Sequence, residues 1–359
     1  MLAGGLGINS ALNAEVEDLT QFDETIWNFE GIDIYEYLKE RNLDIRDYSK
    51  DYVSYINYKG DLKYSDLLSS EDMKKGKDLY PIASNSEVQI ISLTKFNEVM
   101  KMLNKDPIEL KDGEYALFSD IDHLMDSLNN VLESNKKIEI NGNTLTPATK
   151  EVIEVVAYNQ MMKNNLCTII VKDNIVSGLT PWTSYLNINY NEGNESNINE
   201  KINDIREEAK KENDNLIYYA TREEIIADSS SIGAIISYLG IYIGGVFLIV
   251  SAAVLALQQL SESTDNISRY NLLKKIGVDE GIINKSLLTQ IAIYFLMPLS
   301  LALIHSIAGL EYSKRIVTLF GSINIMKNIL IALAVLVIIY GGYFVATYLG
   351  AKKNINNAV

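Results

Sequence analysis

The chain has 359 residues, of which 47% are hydrophobic, and an average taken over them resembles a two-domain soluble protein. The two parts differ, however: residues 1–228 carry 23 Lys and Arg against 42 Asp and Glu, whereas residues 229–359 carry 9 against 5. The net charges of −19 and +4 predict an acidic soluble domain followed by a different kind of domain, and we expect no nucleic-acid partner. A single cysteine, Cys167, excludes an intrachain disulfide.

The first 14 residues are uncharged and read "MLAGGLGINSALNA". They lack the basic start and the strongly apolar centre of a signal peptide, and they are too short to cross a bilayer. We interpret residues 1–14 as the end of a truncated transmembrane helix. The alternative is a frayed soluble N-terminus.

Residues 15–228 alternate short β-rich runs with helical patterns, which predicts an α/β domain. Strands are predicted over 88–93, 114–119, 166–171, 184–190 and 216–220, and a hairpin over 136–145 with Asn141-Gly142 as its turn. The apolar repeats of two predicted helices fall at Phe96, Val99, Met100 and Leu103 and at Ile198, Ile202, Ile205 and Ala209. Thr94 is the predicted N-cap of the first helix.

Nothing in this domain predicts catalysis. His123 has no Cys or second His nearby in sequence, so no metal set is indicated. The chain contains no G-x-x-x-x-G-K-[ST] loop to hold a nucleotide phosphate. We therefore predict no catalytic, metal or cofactor-binding site, and any ATPase activity would reside in a partner subunit.

Three uncharged apolar runs follow, and each is long enough for the roughly 20 helical residues that span a bilayer. They predict transmembrane helices over 229–260, 286–310 and 328–351, in contact with membrane lipid. The alternative, buried helices of a large soluble core, does not readily accommodate three such runs in succession.

The distribution of basic residues predicts which segments lie inside the cell. The segment 261–285 and the tail 352–359 together hold six Lys and Arg, whereas the loop 311–327 holds three. By the positive-inside rule, 261–285 and the tail are cytoplasmic and 311–327 is an outer loop. The acidic domain, 15–228, is then extracytoplasmic and the protein is a multi-pass protein of the cell membrane.

The cytoplasmic segment has the pattern of a helix, a turn and a second helix. Leu272, Leu273 and Ile276 form an apolar edge with basic residues around it. Gly277 fits the left-handed position after a helix, and Asp279 fits the N-cap of the next. This geometry suits a docking helix for a cytoplasmic partner and equally a plain membrane-surface helix. The candidate coupling residues are Arg269, Tyr270, Leu272, Leu273, Lys274, Lys275, Ile276, Gly277, Val278 and Asp279.

The stretches "RYNLLKKIGVDEGIINKSLLTQ", "FLMPLSLALIHS" and "YGGYFVATYLGAKK" resemble the C-terminal core of the FtsX-like (MacB-type) permeases of ABC transporters, in particular the bacitracin-export, antimicrobial-peptide type. The L-x-K-I-G element corresponds to that family's cytoplasmic segment between spans. Pro298 and His305 match its P-L…H-S signature. On composition alone, His305 is either a polar site within the membrane or, as we prefer, a residue at the headgroup boundary or bonded to a neighbouring helix.

The resemblance implies a permease subunit that couples ATP hydrolysis by a separate ABC ATPase to motion of an extracytoplasmic domain. Such systems act on peptide antibiotics or cell-envelope lipids, and some signal to a histidine kinase. Full permeases of this type are about twice as long, so we expect a C-terminal half whose partners include the missing N-terminal permease half. The alternatives are a membrane-anchored sensor or interaction protein without ATP coupling, and a non-functional C-terminal fragment.

Overall fold

The computed structural model describes residues 15–69, 86–193, 195–212, 214, 216–317 and 326–357. These residues form two compact units, divided between Ser229 and Ser230. The predicted end of a membrane helix over 1–14 lies outside the described residues, as do residues 318–325 of the predicted outer loop. Each unit is described separately below.

The first unit is built on a mixed ten-stranded sheet in its described residues. Its strands are β1 (Glu24–Asn28), β2 (Ser49–Lys63), β3 (Glu87–Ser92), β4 (Glu114–Ser119), β5 (Ile138–Ile140), β6 (Asn143–Pro147), β7 (Ile153–Glu154), β8 (Thr168–Val171), β9 (Thr180–Tyr190) and β10 (Tyr218–Thr221). Their spatial order is β10-β1-β9-β2-β3-β8-β4-β6-β5, and β7 also pairs with β4. The pairs β3–β8, β4–β6 and β4–β7 are parallel, and the remaining pairs are antiparallel.

Helices cover the sheet of this unit. They are α1 (Ile34–Glu40), α2 (Tyr64–Leu67), α3 (Leu93–Met102), α4 (Asp122–Glu133), α5 (Asp173–Val176) and α6 (Glu195–Glu212), with a 3₁₀ turn at Ile45–Asp47 and a helical segment over 15–19. The predicted N-cap of α3 was wrong. Ser92 caps this helix, since its Oγ accepts a hydrogen bond from the Lys95 amide, and Thr94 instead bonds to Asp173.

Apolar side chains of the strands fill three buried clusters in the first unit. Alternate residues of a strand point to opposite faces of the sheet, so neighbouring residues of one strand can pack in different clusters. On β2, Val53 and Tyr55 pack with Phe96 and Val99 of α3. Tyr52, on the other face, packs with the cluster that contains α1. The predicted turn at Asn141-Gly142 is confirmed, with both residues at positive φ.

The second unit consists of four helices in its described residues. They are α7 (Arg222–Asp265), whose first residues belong to the first unit, α8 (Ile267–Lys275), α9 (Glu280–Val317) and α10 (Met326–Asn357). Of these, α7, α9 and α10 are long and apolar enough to cross a membrane. Only 6%, 17% and 6% of the residues in their most apolar stretches are buried, so their apolar faces look outward. The predicted class, a helical membrane protein with a large α/β domain, is confirmed.

The helices of the second unit extend beyond the predicted spans. Residues 311–317, predicted as part of the outer loop, are helical, and so are residues 352–357 of the predicted tail. A helix of 44 residues such as α7 is about 66 Å long, about twice the hydrocarbon thickness of a bilayer. An uncharged run marks the part of a helix that fits the hydrocarbon, whereas the hydrogen-bonded helix continues into water.

Candidate functional site

The link between α7 and α9 has the predicted helix, turn and second helix. The turn after α8 is a Schellman motif: the amide of Val278 donates to the carbonyl of Leu273 at 3.1 Å, and the amide of Gly277 donates to Lys274 at 3.0 Å. Gly277 has φ +85°, a left-handed conformation that glycine adopts without strain. The sequence K-K-I-G-V therefore ends α8 and reverses the chain within three residues.

Asp279 begins the next helix, as predicted. Its carboxylate Oδ1 accepts a hydrogen bond from the amide of Gly281 at 2.7 Å, and its carbonyl accepts from the amides of Ile282 and Ile283. A carboxylate at this position satisfies an amide that has no partner within the helix and lies at the positive end of the helix dipole. The start of α9 is thus fixed locally by Asp279.

One side of α8 is anchored to the transmembrane helices. The ring of Tyr270 is buried with Ile283 and Leu287 of α9 in the apolar cluster of this unit, and burial raises the pKa of its phenol. On the same side, the Nζ of Lys274 donates to the carbonyl of Ile355 in α10 at 3.4 Å. Tyr270 and Lys274 are one helical turn apart, so they define the inward face of α8.

A polar network connects this anchor to α7. The hydroxyl of Tyr270 donates to Oε1 of Gln290 at 3.2 Å, and the amide of Gln290 donates to Oε1 of Glu262 at 3.0 Å. The other carboxylate oxygen of Glu262 accepts from Gln259 at 3.2 Å. Three helices are therefore joined by one chain of hydrogen bonds, which fixes the orientation of α8 against α7 and α9.

The sequence prediction missed this network. Gln259, Glu262 and Gln290 lie at the ends of apolar runs, where polar residues are ordinary, so their type alone gives little signal. Their spacing does give a signal for a polar contact, because Gln259 and Glu262 are three residues apart and share a helix face. Which polar residue of another helix would meet that face depends on tertiary packing.

The opposite side of α8 is apolar and exposed. Leu272 is 63% exposed, Leu273 38% and Ile276 69%, and the cationic side chains of Arg269 and Lys275 are exposed beside them. Two of these side chains lie on α8 and Ile276 is its C-cap. Their exposure costs free energy in water, up to about 1.5 to 3 kcal/mol for a fully exposed side chain. A surface of this kind is stable when a partner or a lipid boundary covers it.

The two remaining candidate residues lie apart from this link. Pro298 is inside α9, and both Pro298 and His305 are exposed at its surface. Among the described residues, neither makes a side-chain hydrogen bond to another helix. The candidate coupling residues 269–279 thus lie in one segment, whereas Pro298 and His305 lie on a separate stretch of α9.

Two buried carboxylates in the first unit were also missed by the sequence prediction. Glu24 is buried at the start of β1, where the hydroxyl of Tyr190 donates to its carboxylate, and burial raises its pKa to about 7. Asp120 follows β4; its carboxylate accepts from Gln160 and from the amide of Asn165, and burial raises its pKa to about 7. Both are held by neutral donors, and the part of the chain that the structure describes has no cluster of three potential metal ligands.

No protein-family model matches the chain. Part of it is similar to two curated proteins of Bacillus subtilis (strain 168): the bacitracin export permease protein BceB, with 29% identity over 107 residues, and the ABC transporter permease protein YxdM, with 26% identity over 93 residues. These stretches cover 30% and 26% of this chain, but only 16% and 15% of the relatives' own lengths. The chain therefore has partial similarity to permeases of ABC transporters and is a multi-pass membrane protein with a large α/β domain.

Proposed function

We propose that the chain acts as a permease subunit of an ABC transporter of the FtsX-like, bacitracin-export type, and that a separate ATPase docks on α8. The observation that carries the proposal is the two-sided character of α8. Leu272, Leu273 and Ile276 face outward, whereas Tyr270 and Lys274 are held by the transmembrane helices. A partner that moves the outer side of α8 must also move what the inner side contacts.

The network of Tyr270, Gln290 and Glu262 supports this role. It joins α8 to α7 and α9 through side chains, so displacement of α8 is resisted by both helices together. The helix α7 continues without a break from residue 222, next to β10, to residue 265. We infer that motion passes from α8 along α7 to the α/β domain.

The substrate and the other partners are proposed on the likeness to the two Bacillus proteins. We propose that the α/β domain is extracytoplasmic and acts on peptide antibiotics or cell-envelope lipids. The outward apolar faces of α7, α9 and α10 would contact lipid or further permease helices, such as those of an N-terminal permease half. A histidine kinase is a further proposed partner.

The docking proposal is tested by Leu273→Asp and Ile276→Asp. The protein is co-expressed with candidate ABC ATPases and extracted in a mild detergent for the pull-down. A carboxylate on the exposed apolar edge must be desolvated at a packed contact, so each variant should lose the ATPase from the pull-down. Association should fall by about tenfold or more, since an uncompensated buried charge costs more than about 1.4 kcal/mol.

Asn354→Asp is the matched control, because it places the same charge at an exposed position of α10. This variant should retain the ATPase, and all three variants should insert into the membrane. Full recovery of the ATPase with Leu273→Asp and Ile276→Asp would contradict docking on α8. It would favour the second candidate, a membrane-anchored sensor without ATP coupling.

The proposed orientation is tested by labelling single cysteines on intact cells with an impermeant thiol reagent, in a Cys167→Ala background. Ser268→Cys on α8 should stay unlabelled, and Lys111→Cys in the α/β domain should be labelled. Both positions are exposed in the structure, so a difference in labelling reports the side of the membrane and not burial. Permeabilised cells provide the control, in which both should react. Labelling of Ser268→Cys on intact cells would reverse the topology.

A further inference from the structure

The strand β2 has neighbours of unequal length. It pairs with β9 from Ser49 to Lys59, whereas it pairs with β3 only from Tyr58 onward. Among the described residues, no other backbone hydrogen bond joins residues 50–57 to the rest of the protein. About half of this long strand is therefore an open sheet edge in the middle of the sheet order.

The edge is open because β3 ends early. Ser92 ends β3 and caps α3, so the chain leaves the sheet two residues after Ile90 pairs with Tyr58. Unprotected edges normally carry Pro, Lys or a bulge that hinders pairing with another strand. Lys50 and a register shift between Ser49 and Asp51 lie at one end of the open stretch, and a second register shift lies between Asn57 and Tyr58 at the other. Between them, residues 52–56 read Tyr-Val-Ser-Tyr-Ile and contain neither Pro nor Lys. Their register with β9 is regular, from Tyr52 opposite Ile188 to Ile56 opposite Ser184.

A cleft of about 450 Å³ lies along this edge, within the size range of ligand sites in proteins. It is lined by residues of β2 together with Asp33, Tyr35, Ser92, Lys95 and Glu98. The helix α1 borders one face of the strand and α3 borders the other. An added strand would place its side chains alternately on these two sides.

The groups on the two sides differ in charge. On the α1 side, Asp33 is exposed, and its Oδ1 accepts from the hydroxyl of Ser54 at 3.0 Å and from the amide of Tyr35, while Tyr35 stacks on Tyr52. On the α3 side, Glu98 pairs with Lys95 at 2.7 Å. The cleft thus carries net negative charge and tyrosine rings, which attract cations, on a domain whose own net charge is −19.

We propose that the open edge of β2 binds an extended polypeptide segment with basic side chains, which adds to the sheet as a strand between α1 and α3. Main-chain hydrogen bonds supply the pairing, and the carboxylates of Asp33 and Glu98 select basic side chains. The site lies wholly within residues 15–229 and does not depend on docking of an ATPase to α8.

The test uses the full chain in a non-ionic detergent and a fluorescent, end-capped hexapeptide of Val residues with two adjacent Lys at its centre, so that one Lys falls on each side of the added strand. Binding is followed by anisotropy. A second peptide is N-methylated at every residue, which preserves its charge and removes the amide donors from both edges of the strand. The variant Asp33→Asn/Glu98→Gln removes two charges from the cleft, and Asn still caps α1. The control Glu36→Gln/Glu207→Gln removes two charges outside the cleft lining. Like Glu98, each of these residues forms an ion pair with a Lys three positions away on its own helix.

We expect the N-methylated peptide to bind at least about tenfold more weakly than the parent peptide, since several hydrogen bonds of about 1 kcal/mol each are lost. The cleft variant should weaken binding of the parent by about three- to tenfold, and the control by less than about twofold. Equal binding of both peptides would show attraction by charge alone and overturn strand addition. Equal affinity of wild type and the cleft variant, or no binding of the parent peptide, would overturn the site.

Discussion

The two units of this chain bury their apolar side chains against different surroundings. In the α/β unit, Ile90, Ile170 and Leu186 are fully buried in clusters that the sheet and its helices enclose. In the helical unit, Val337 and Ile338 are 60% and 72% exposed, although they belong to an equally apolar sequence. The first unit has its own core in water, whereas the second requires lipid or other helices to complete its burial. An exposed residue of the first unit therefore faces water, whereas an exposed apolar residue of the second unit faces lipid or another helix.

The largest effect should come from a charge in the core of the first unit. Ile170→Asp places a carboxylate at a fully buried position of β8, which should cost more than about 4 kcal/mol and unfold the α/β unit. Both tryptophans, Trp27 and Trp182, lie in this unit, so their fluorescence reports its unfolding without interference from the transmembrane helices.

Ile170→Val is the matched control and should cost about 0.5 to 1.5 kcal/mol. Membrane insertion of Ile170→Asp should remain as in wild type, because the uncharged runs of α7, α9 and α10 are unaltered. An unchanged fluorescence transition for Ile170→Asp would mean that β8 is not in the core.

The same substitution at an exposed position of the second unit tests the contrast directly. Ile338→Asp would be harmless on a water-soluble surface. In a bilayer it should cost about 3 kcal/mol and reduce the membrane-inserted fraction, because the exposed apolar face of α10 would then lie against hydrocarbon. Carbonate extraction of membranes measures that fraction, with Asn354→Asp as the control. Insertion of Ile338→Asp at the wild-type level would place this face against water or a polar partner.

Glu24 gives the first unit a dependence on pH. Its pKa is raised from 4.5 to about 7 in the fold, so the native state favours the protonated form. The stabilisation is fully present below about pH 4.5 and is lost as the pH rises through 7. Glu24→Gln should therefore raise the fluorescence-monitored Tm more at pH 8 than at pH 5, by several degrees. An equal change at both pH values would contradict this assignment, and Asp120→Asn offers an independent second case.

A smaller effect is expected at the turn after α8. Gly277→Ala introduces a side chain at φ +85°, which should cost about 1 to 2 kcal/mol through strain, since no neighbouring atom crowds that position. Hydrogen exchange should become faster at the amides of Val278 and Gly277, which close the Schellman motif. Gly178→Ala, at φ +93° in the α/β unit, is the control and should leave exchange in α8 unaltered. Unchanged exchange in Gly277→Ala would mean that the turn relaxes without cost.

The sequence predicted the second unit better than the first. Membrane helices were evident from uncharged runs, and the turn of α8 from Gly277 and Asp279, because both signals are local. In the first unit β2 was missed, although Val53, Tyr55 and Asn57 alternate with more exposed residues, because its many polar residues obscure the period. The network of Glu262 and Gln290 could not be predicted, since it depends on how separate helices pack.

The central claim, that an ATPase docks on the outer side of α8 while the inner side is held by the transmembrane helices, is tested most directly by photo-cross-linking. A benzophenone amino acid is placed singly at each position from Arg269 to Ile276, in cells that co-express the ATPase. Cross-links to the ATPase should be strongest at Leu272, Leu273 and Ile276 and absent at Tyr270 and Lys274, which face the helices. Equal cross-linking around the helix, or cross-links to lipid alone, would contradict the account.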